Sequence, residues 1–164
     1  MTLLNAPEFD EKKERSRRNL LIGSGLTVLV VAVIAFAGFA LGHGWLFLNL
    51  PAEHKVSNLL SAVQAQDYAK AYGIFYDDPD WQQHPDKYKD YPLKRFTEDF
   101  STESDWKEPV KSFHVDFSKR DDTGVVVATT INASAGNPGK NLTLKVLSSN
   151  GRISFFPFVL TRGI

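Results

Sequence analysis

The chain has 164 residues, 43% of them hydrophobic, with 19 basic and 19 acidic side chains and no cysteine. The lack of cysteine excludes disulfide bonds, a thiol nucleophile and thiolate metal sites. The formal net charge of zero argues against binding to nucleic acid, because proteins that bind it carry an excess of basic residues. The hydrophobic content excludes a disordered chain.

An uncharged apolar segment near the N-terminus predicts a transmembrane helix. No charged residue occurs between Arg18 and Glu53. At ~1.5 Å per residue, a helix over residues 20–42 is about 34 Å long, enough to cross a hydrocarbon core of ~30 Å. The predicted organisation is therefore a tail at 1–19, a transmembrane helix at 20–42, a juxtamembrane linker at 43–54 and a domain at 55–164.

The flanking charges predict the orientation of this helix. Five basic residues lie shortly before it, and such residues stay on the cytoplasmic side of a membrane. The N-terminus is therefore expected in the cytoplasm and the C-terminal domain outside it, at a bacterial inner membrane. Two alternatives stay open: cleavage as a signal peptide near the triplet Ala35-Phe36-Ala37, and helix dimerisation through the GxxxG spacing of Gly38 and Gly42.

Three helices are predicted in the first half of the exported domain. The first has four apolar residues at helical spacing, namely Val56, Leu59, Leu60 and Val63. Asp67 is a suitable N-cap for the second helix, because its carboxylate can accept hydrogen bonds from free backbone N–H groups. The third helix is predicted from Leu93 to Asp99, after a long proline-containing loop at residues 78–92.

In the second half the hydrophobic period becomes alternating, which predicts strands. A central strand is predicted from Val125 to Ala133, and two more at 142–146 and 153–160, joined by a two-residue hairpin at Asn150-Gly151. The fold class is therefore α+β, with three helices on one face of a mainly antiparallel sheet of about four strands. The two faces of the first strand are expected to carry Phe113, Val115 and Phe117 on one side and His114 and Asp116 on the other.

This order of elements resembles the NTF2-like (cystatin-like α+β roll) superfamily, with its SnoaL-like and DUF4878-type bacterial members. The resemblance rests on residues 59–72, with an Asp-Tyr-x-x-Ala-Tyr run, on strands 113–117 and 124–133, and on the closing hairpin 144–156. It implies a curved sheet wrapped around the helices as a cone with an apolar pocket. Members use the pocket for isomerase or dehydratase chemistry or for ligand binding, and others dimerise through the sheet, so the fold does not decide the function.

The aromatic loop before the third helix holds the candidate binding residues. Trp81, His84, Tyr88 and Tyr91 are predicted to form a pocket lip or a recognition loop. In the alternative reading, the aromatic rings are the apolar side of a loop that folds over the core. His84 and its neighbouring carboxylates suit a hard cation by residue type, but EF-hand spacing is absent, and no metal site is predicted.

No catalytic residue and no cofactor is predicted, since the sequence has no G-x-S-x-G, Walker A, G-x-G-x-x-G or H-E-x-x-H motif. The expected function is a non-catalytic module that contacts the bilayer through residues 20–42 and a protein or small ligand through its domain. A homodimer and an envelope protein are the alternative partners. Two other functions stay open: a membrane-tethered SnoaL-like enzyme, which needs a buried Asp or His with a shifted pKa, and an accessory subunit of a membrane complex.

Overall fold

The structure is a computed structural model that describes residues 11–41, 46–101 and 108–157. Its contacts divide the chain into two units, residues 1–37 and residues 38–164. Several predictions fall outside the described residues: the first ten residues of the tail, Gly42 of the GxxxG spacing, and the last three residues of the final predicted strand.

Helix α1 spans Glu11–Leu41 and is long and apolar enough to cross a membrane. Its apolar side chains are exposed along its length; Leu20 is 71% and Phe36 76% exposed. Two hydroxyl groups in its apolar part are bonded to the helix itself: Ser24 Oγ donates to the Leu21 carbonyl at 3.0 Å and Thr27 Oγ1 to the Gly23 carbonyl at 2.9 Å. The helix therefore satisfies these groups without water, which a hydrocarbon environment requires.

The second unit is α+β, which confirms the predicted fold class. Its four strands form one antiparallel sheet in the order β1-β2-β3-β4. The sheet has helices on one face, with α2 against the first three strands and α3 against the last. The elements are α2 (Leu46–Gln64), α3 (Tyr68–Tyr76), two 3₁₀ turns (Trp81–Gln83 and Pro85–Tyr88), α4 (Leu93–Phe100), β1 (Phe113–Asp121), β2 (Gly124–Ile131), β3 (Lys140–Leu147) and β4 (Ile153–Phe155).

Helix α2 begins earlier than its apolar pattern indicates. Residues 46–54, which the sequence assigns to a linker, are helical despite Pro51, whose missing N–H removes one helix hydrogen bond. This part of α2 is attached to β1 by polar contacts. Asn49 Nδ2 donates to Ser118 Oγ at 3.0 Å, and Ser118 Oγ donates to Glu53 Oε1 at 2.5 Å. The spacing of apolar residues does not predict such polar contacts.

Helix α3 begins as predicted. The Asp67 carboxylate accepts a hydrogen bond from the Lys70 N–H at 3.1 Å, as expected of an N-cap. At its other end Asp77 takes a left-handed conformation with φ of 56°, and its N–H bonds to carbonyls of the last turn. The helix is therefore closed at both ends by aspartates, and the chain leaves it sharply toward the aromatic loop.

A β-bulge in β1 changes the predicted faces of that strand. The pairing with β2 shifts by one residue between Val115 and Phe117, so Asp116 is an extra residue in the ladder. Beyond the bulge Ser118 faces the helices, where it bonds α2. The prediction that Phe117 shares a face with Phe113 and Val115 is therefore wrong, because one inserted residue reverses the alternation.

The predicted two-residue hairpin at Asn150-Gly151 is also wrong. Leu147 pairs with Arg152, so the β3–β4 connection has four residues, 148–151. A type I′ turn needs positive φ at both central residues, and here Gly151 has φ of 70° while Asn150 does not have a positive φ. The tight connection lies instead between β1 and β2, where Asp121 pairs directly with Gly124.

Asn132 fixes the approach to the first strand. It follows β2 with φ of 55°, a left-handed conformation that asparagine adopts more readily than most residues. Its Oδ1 accepts from the backbone N–H groups of Lys111 at 2.7 Å and Ser112 at 3.2 Å, and its Nδ2 donates to the Pro109 carbonyl at 2.9 Å. One side chain thus holds the segment that leads into β1.

We expect Asn132→Ala to lower the free energy of unfolding by about 3 to 5 kcal/mol. Three hydrogen bonds contribute about 1 kcal/mol each, and a left-handed alanine adds about 1 kcal/mol of strain. Asn132→Gly is the matched control, because it loses the same bonds without that strain and is expected to be about 1 kcal/mol more stable than the alanine variant. Urea unfolding followed by tryptophan fluorescence measures both, and wild-type stability in the alanine variant would contradict this role.

Candidate functional site

Aromatic rings fill the space between α3, α4 and β4. Tyr72 lies at their centre, with edge-on ring contacts to Tyr76 at 4.9 Å, Trp81 at 4.8 Å and Phe96 at 5.5 Å between centroids. Such contacts stabilise beyond the area that they bury. This set, which we call the aromatic cluster, consists of Tyr72, Phe75, Tyr76, Trp81, Tyr88, Tyr91, Phe96, Phe100 and Phe155.

The backbone of Tyr91 connects the aromatic loop to α3. Its carbonyl accepts hydrogen bonds from the hydroxyls of Tyr72 at 2.6 Å and Tyr76 at 3.2 Å. The Tyr91 hydroxyl donates to Asp99 Oδ2 of α4 at 2.7 Å. Burial raises the pKa of all three tyrosines, and the Asp99 carboxylate raises that of Tyr91 further. The three hydroxyls therefore stay protonated and act as structural donors.

Two of the four predicted site residues, Trp81 and Tyr88, pack on the core. Trp81 is half-buried, and its indole N–H donates to the Ala69 carbonyl of α3 at 3.1 Å. Tyr88 is only 4% exposed, and its hydroxyl donates to the Asp78 carboxylate. This hydrogen bond is the main reason that the pKa of Asp78 lies below its ordinary value. Both rings thus occupy the positions that the alternative reading of the loop assigns to them.

His84 is exposed in the loop and caps the first 3₁₀ turn through its backbone. Its position does not bring carboxylates together around a cation. Among the described residues no three His, Asp or Glu side chains converge in a way that would hold a metal ion. Tyr91, the fourth predicted residue, is half-buried and lines a groove beside β4 together with residues that the sequence analysis did not select.

A groove of about 540 Å³ lies between α3 and the loop that follows it. Its two carboxylates already have partners: Asp77 is paired with Lys55, and Asp78 with Tyr88 and with Lys87 at 3.5 Å. Lys55 Nζ also donates to the Gly151 carbonyl at 2.6 Å. Because both carboxylates are bonded within the chain, this groove does not present an open site for a cation.

A second groove, which we call the β4 groove, has a volume of about 450 Å³. One wall is the edge of β4 and the loop before it, and the other consists of α3 and Tyr91. Phe155 lies at the mouth and is 39% exposed, with its ring 5.9 Å from Phe75 and 6.3 Å from Tyr91. The lining residues are Phe75, Tyr76, Tyr91, Leu147, Asn150, Arg152, Ile153, Ser154 and Phe155.

Arg152 gives the β4 groove a positive charge. Its guanidinium lies over the Tyr76 ring at 4.3 Å and within 5.8 Å of the Tyr88 ring centroid. Within the described ranges no carboxylate lies within 4 Å of it, although other basic side chains such as Lys145, Arg95 and Lys55 have such partners. Cation–π contacts hold the guanidinium in place without neutralising its charge. The groove therefore combines apolar rings with an available cation.

The strand residues His114 and Asp116 do not form an acid–base pair. His114 is exposed, and the Asp116 carboxylate accepts a hydrogen bond from Thr130 Oγ1 at 2.7 Å, which engages it within the sheet. A buried carboxylate elsewhere, Glu53, is 8% exposed and bonded to Ser118. The described histidines, His54, His84 and His114, are all exposed.

Sequence reasoning located the aromatic loop but missed Arg152. An isolated arginine after a turn has no pattern that separates it from other surface arginines, and its environment depends on how α3 packs on β4. No protein-family model, curated protein or solved structure matches this chain. The resemblance to the NTF2-like superfamily therefore stays a prediction.

We expect Tyr88→Phe to raise the pKa of Asp78 toward its ordinary value of 3.8, because the variant keeps the ring and removes the hydroxyl that stabilises the carboxylate. Carboxyl chemical shifts followed by NMR over an acid titration measure this change. Tyr91→Phe is the control, since it removes a hydroxyl bonded to Asp99 and should leave Asp78 unaffected. An unchanged titration in Tyr88→Phe would show that other groups set this pKa.

Proposed function

We propose that the chain is a single-pass protein of a bacterial inner membrane whose extracytoplasmic NTF2-like domain binds a small ligand or a protein through the β4 groove, without catalysis. The observation that carries the proposal is Arg152, a half-buried residue whose guanidinium lies over the Tyr76 ring in an open groove. An open apolar cleft with a few polar groups is the usual form of a binding site.

Helix α1 supports the membrane anchor. Its exposed leucine, valine and phenylalanine side chains are unfavourable in water, and their burial in lipid is favourable by roughly 0.3 to 0.6 kcal/mol each. The hydroxyls of Ser24 and Thr27 are bonded to helix carbonyls, so they do not oppose insertion. The basic residues before the segment favour a cytoplasmic N-terminus.

The packing of the domain favours binding over catalysis. A SnoaL-like enzyme needs an enclosed cavity with a buried acid or base, whereas here aromatic rings occupy the space between the helices and β4. The described histidines are exposed, and the described aspartates are exposed or half-buried. The buried carboxylate of Glu53 is bonded to Ser118, so it is engaged within the fold. The open groove beside β4 is where this proposal places the ligand.

The membrane anchor is tested with reporters at the C-terminus. In a bacterial host we expect an alkaline phosphatase fusion to be active, because this enzyme folds with disulfides formed outside the cytoplasm, and a green fluorescent protein fusion to be dark. The fusions should remain in the membrane pellet after carbonate extraction. Deletion of residues 20–42 is the control and should reverse both reporters. A bright fluorescent fusion of the intact chain would overturn the proposed orientation.

The groove is tested with 3-phenylpropanoate, which has a flat apolar body and one carboxylate. In the full-length protein in nanodiscs we expect it to shift the amide NMR signals of Asn150, Arg152 and Phe155, and Arg152→Gln to weaken its binding at least tenfold, or about 1.4 kcal/mol. Arg120→Gln changes an exposed arginine of β1 at the other edge of the sheet and should bind as wild type. Shifts distributed over the whole domain would contradict a site at this groove.

A further inference from the structure

The charged residues at the start of α1 are separated along the helix axis. The acidic residues of the tail all precede Arg15, and none follows Glu14 within the helix. Arg15, Arg17 and Arg18, which we call the arginine triplet, stand between these carboxylates and Leu20, the first residue of the predicted span. Because α1 is unbroken through this stretch, the helix fixes the distance between the triplet and the span.

This spacing places the arginine triplet at the depth of lipid headgroups. At ~1.5 Å per residue, Arg18 lies about 3 Å and Arg15 about 7.5 Å along the axis from Leu20. The nearest carboxylate, that of Glu14, belongs to a residue about 9 Å from Leu20. The polar headgroup layer on each side of a hydrocarbon core is roughly 5 to 8 Å thick. With the apolar segment in the core, the arginines therefore lie within the headgroup layer and the acidic residues lie beyond it.

The guanidinium groups of the arginine triplet are available to a partner. Two glutamates stand four residues before Arg15 and Arg18, which is the spacing of a helical ion pair. Even so, no carboxylate oxygen in the described part of the chain lies within 4 Å of these guanidinium groups, whereas Arg95 of α4 has two such ion pairs. The triplet is exposed, and Lys12 and Lys13, farther from the span, have partners of their own.

A guanidinium group at this depth matches a phosphodiester. Its planar set of donors binds two phosphate oxygens at once, whereas an ammonium group acts as a point charge. Arg15 and Arg18 lie on one face of the helix, and Arg17 is turned by about 100° from Arg18, so the triplet can contact more than one headgroup. A zwitterionic headgroup balances its phosphate with its own cation, so the positive charge of the triplet favours anionic lipids.

We propose that the arginine triplet binds the phosphate groups of anionic phospholipids in the cytoplasmic leaflet, so that these lipids are enriched around the start of the transmembrane helix. This inference rests on the proposed membrane anchor and its orientation, and it names the class of lipid that the anchor selects. It does not depend on the β4 groove.

Solid-state NMR measures the contact in the full-length protein, reconstituted in bilayers of equal parts phosphatidylglycerol and phosphatidylcholine. With arginine labelled at the guanidinium carbon, we expect dephasing by phosphorus that corresponds to carbon–phosphorus distances of about 4 to 5 Å. Replacing the triplet by lysine keeps the charge, removes these carbons and should abolish the dephasing. Arg120→Lys, an exposed residue of β1, should leave it unchanged. Absent dephasing in the wild type, or dephasing that persists in the triple lysine variant, would overturn the contact.

Spin-labelled lipids measure the preference in the same bilayers, through the fraction of each lipid whose motion the protein restricts. We expect phosphatidylglycerol to be enriched at least about threefold over phosphatidylcholine, and replacement of the triplet by glutamine to bring this ratio within about 1.5-fold of unity. The double variant Lys12→Gln and Lys13→Gln is the matched control and should keep an enrichment of at least about twofold. An equal loss in both variants would overturn the assignment to the triplet.

The outcomes separate this inference from the anchor on which it rests. If the protein stays in the membrane pellet with its C-terminal domain outside, and phosphatidylglycerol is not enriched, the lipid contact fails and the anchor stands. Release of the protein by carbonate extraction would overturn both. Loss of the enrichment on addition of inorganic phosphate, but not of sodium chloride at equal ionic strength, would assign the triplet to a soluble anion and overturn the lipid contact.

Discussion

The two tyrosine hydroxyls that meet at the Tyr91 carbonyl are the constraint on which the domain depends. A buried hydroxyl without a partner is costly, so Tyr72 and Tyr76 can enter the core only where an acceptor reaches them. The chain provides that acceptor by returning the aromatic loop across α3. With this connection in place, the rings of α3 and α4 fill the interior, and a groove remains beside β4.

Much of the fold follows from spacing alone, and the exceptions have physical causes. The capped start of α3 and the continuous β-branched run of β2 depend on neighbours in sequence, so they are readable from the chain. The bulge at Asp116 and the early start of α2 depend on contacts between distant segments, such as that between Asn49 and Ser118. Hydrophobic periodicity does not predict such pairs, because any polar residue fits the polar positions of the pattern equally well.

The candidate site shows the same division. The aromatic composition of the loop drew attention to Trp81, Tyr88 and Tyr91, and the structure places all three in or against one cluster. Which rings would be covered and which would face a groove was not available from composition, because it depends on the path of β4. The cation–π contact of Arg152 depends on the hairpin loop, which places its guanidinium over the Tyr76 ring. The sequence therefore identifies the aromatic residues of the site but not which of them line the groove.

The contacts of Lys55 affect how the β4 groove binds a partner. Its ammonium group joins α2 to the end of α3 at Asp77 and to the β3–β4 loop at the Gly151 carbonyl, all outside the groove. The two walls are thus held at a fixed spacing before anything enters between them. A cleft that is already shaped loses little conformational entropy on association, and its encounter rate is limited by diffusion and orientation more than by rearrangement. Differences between partners would then be expressed as residence times.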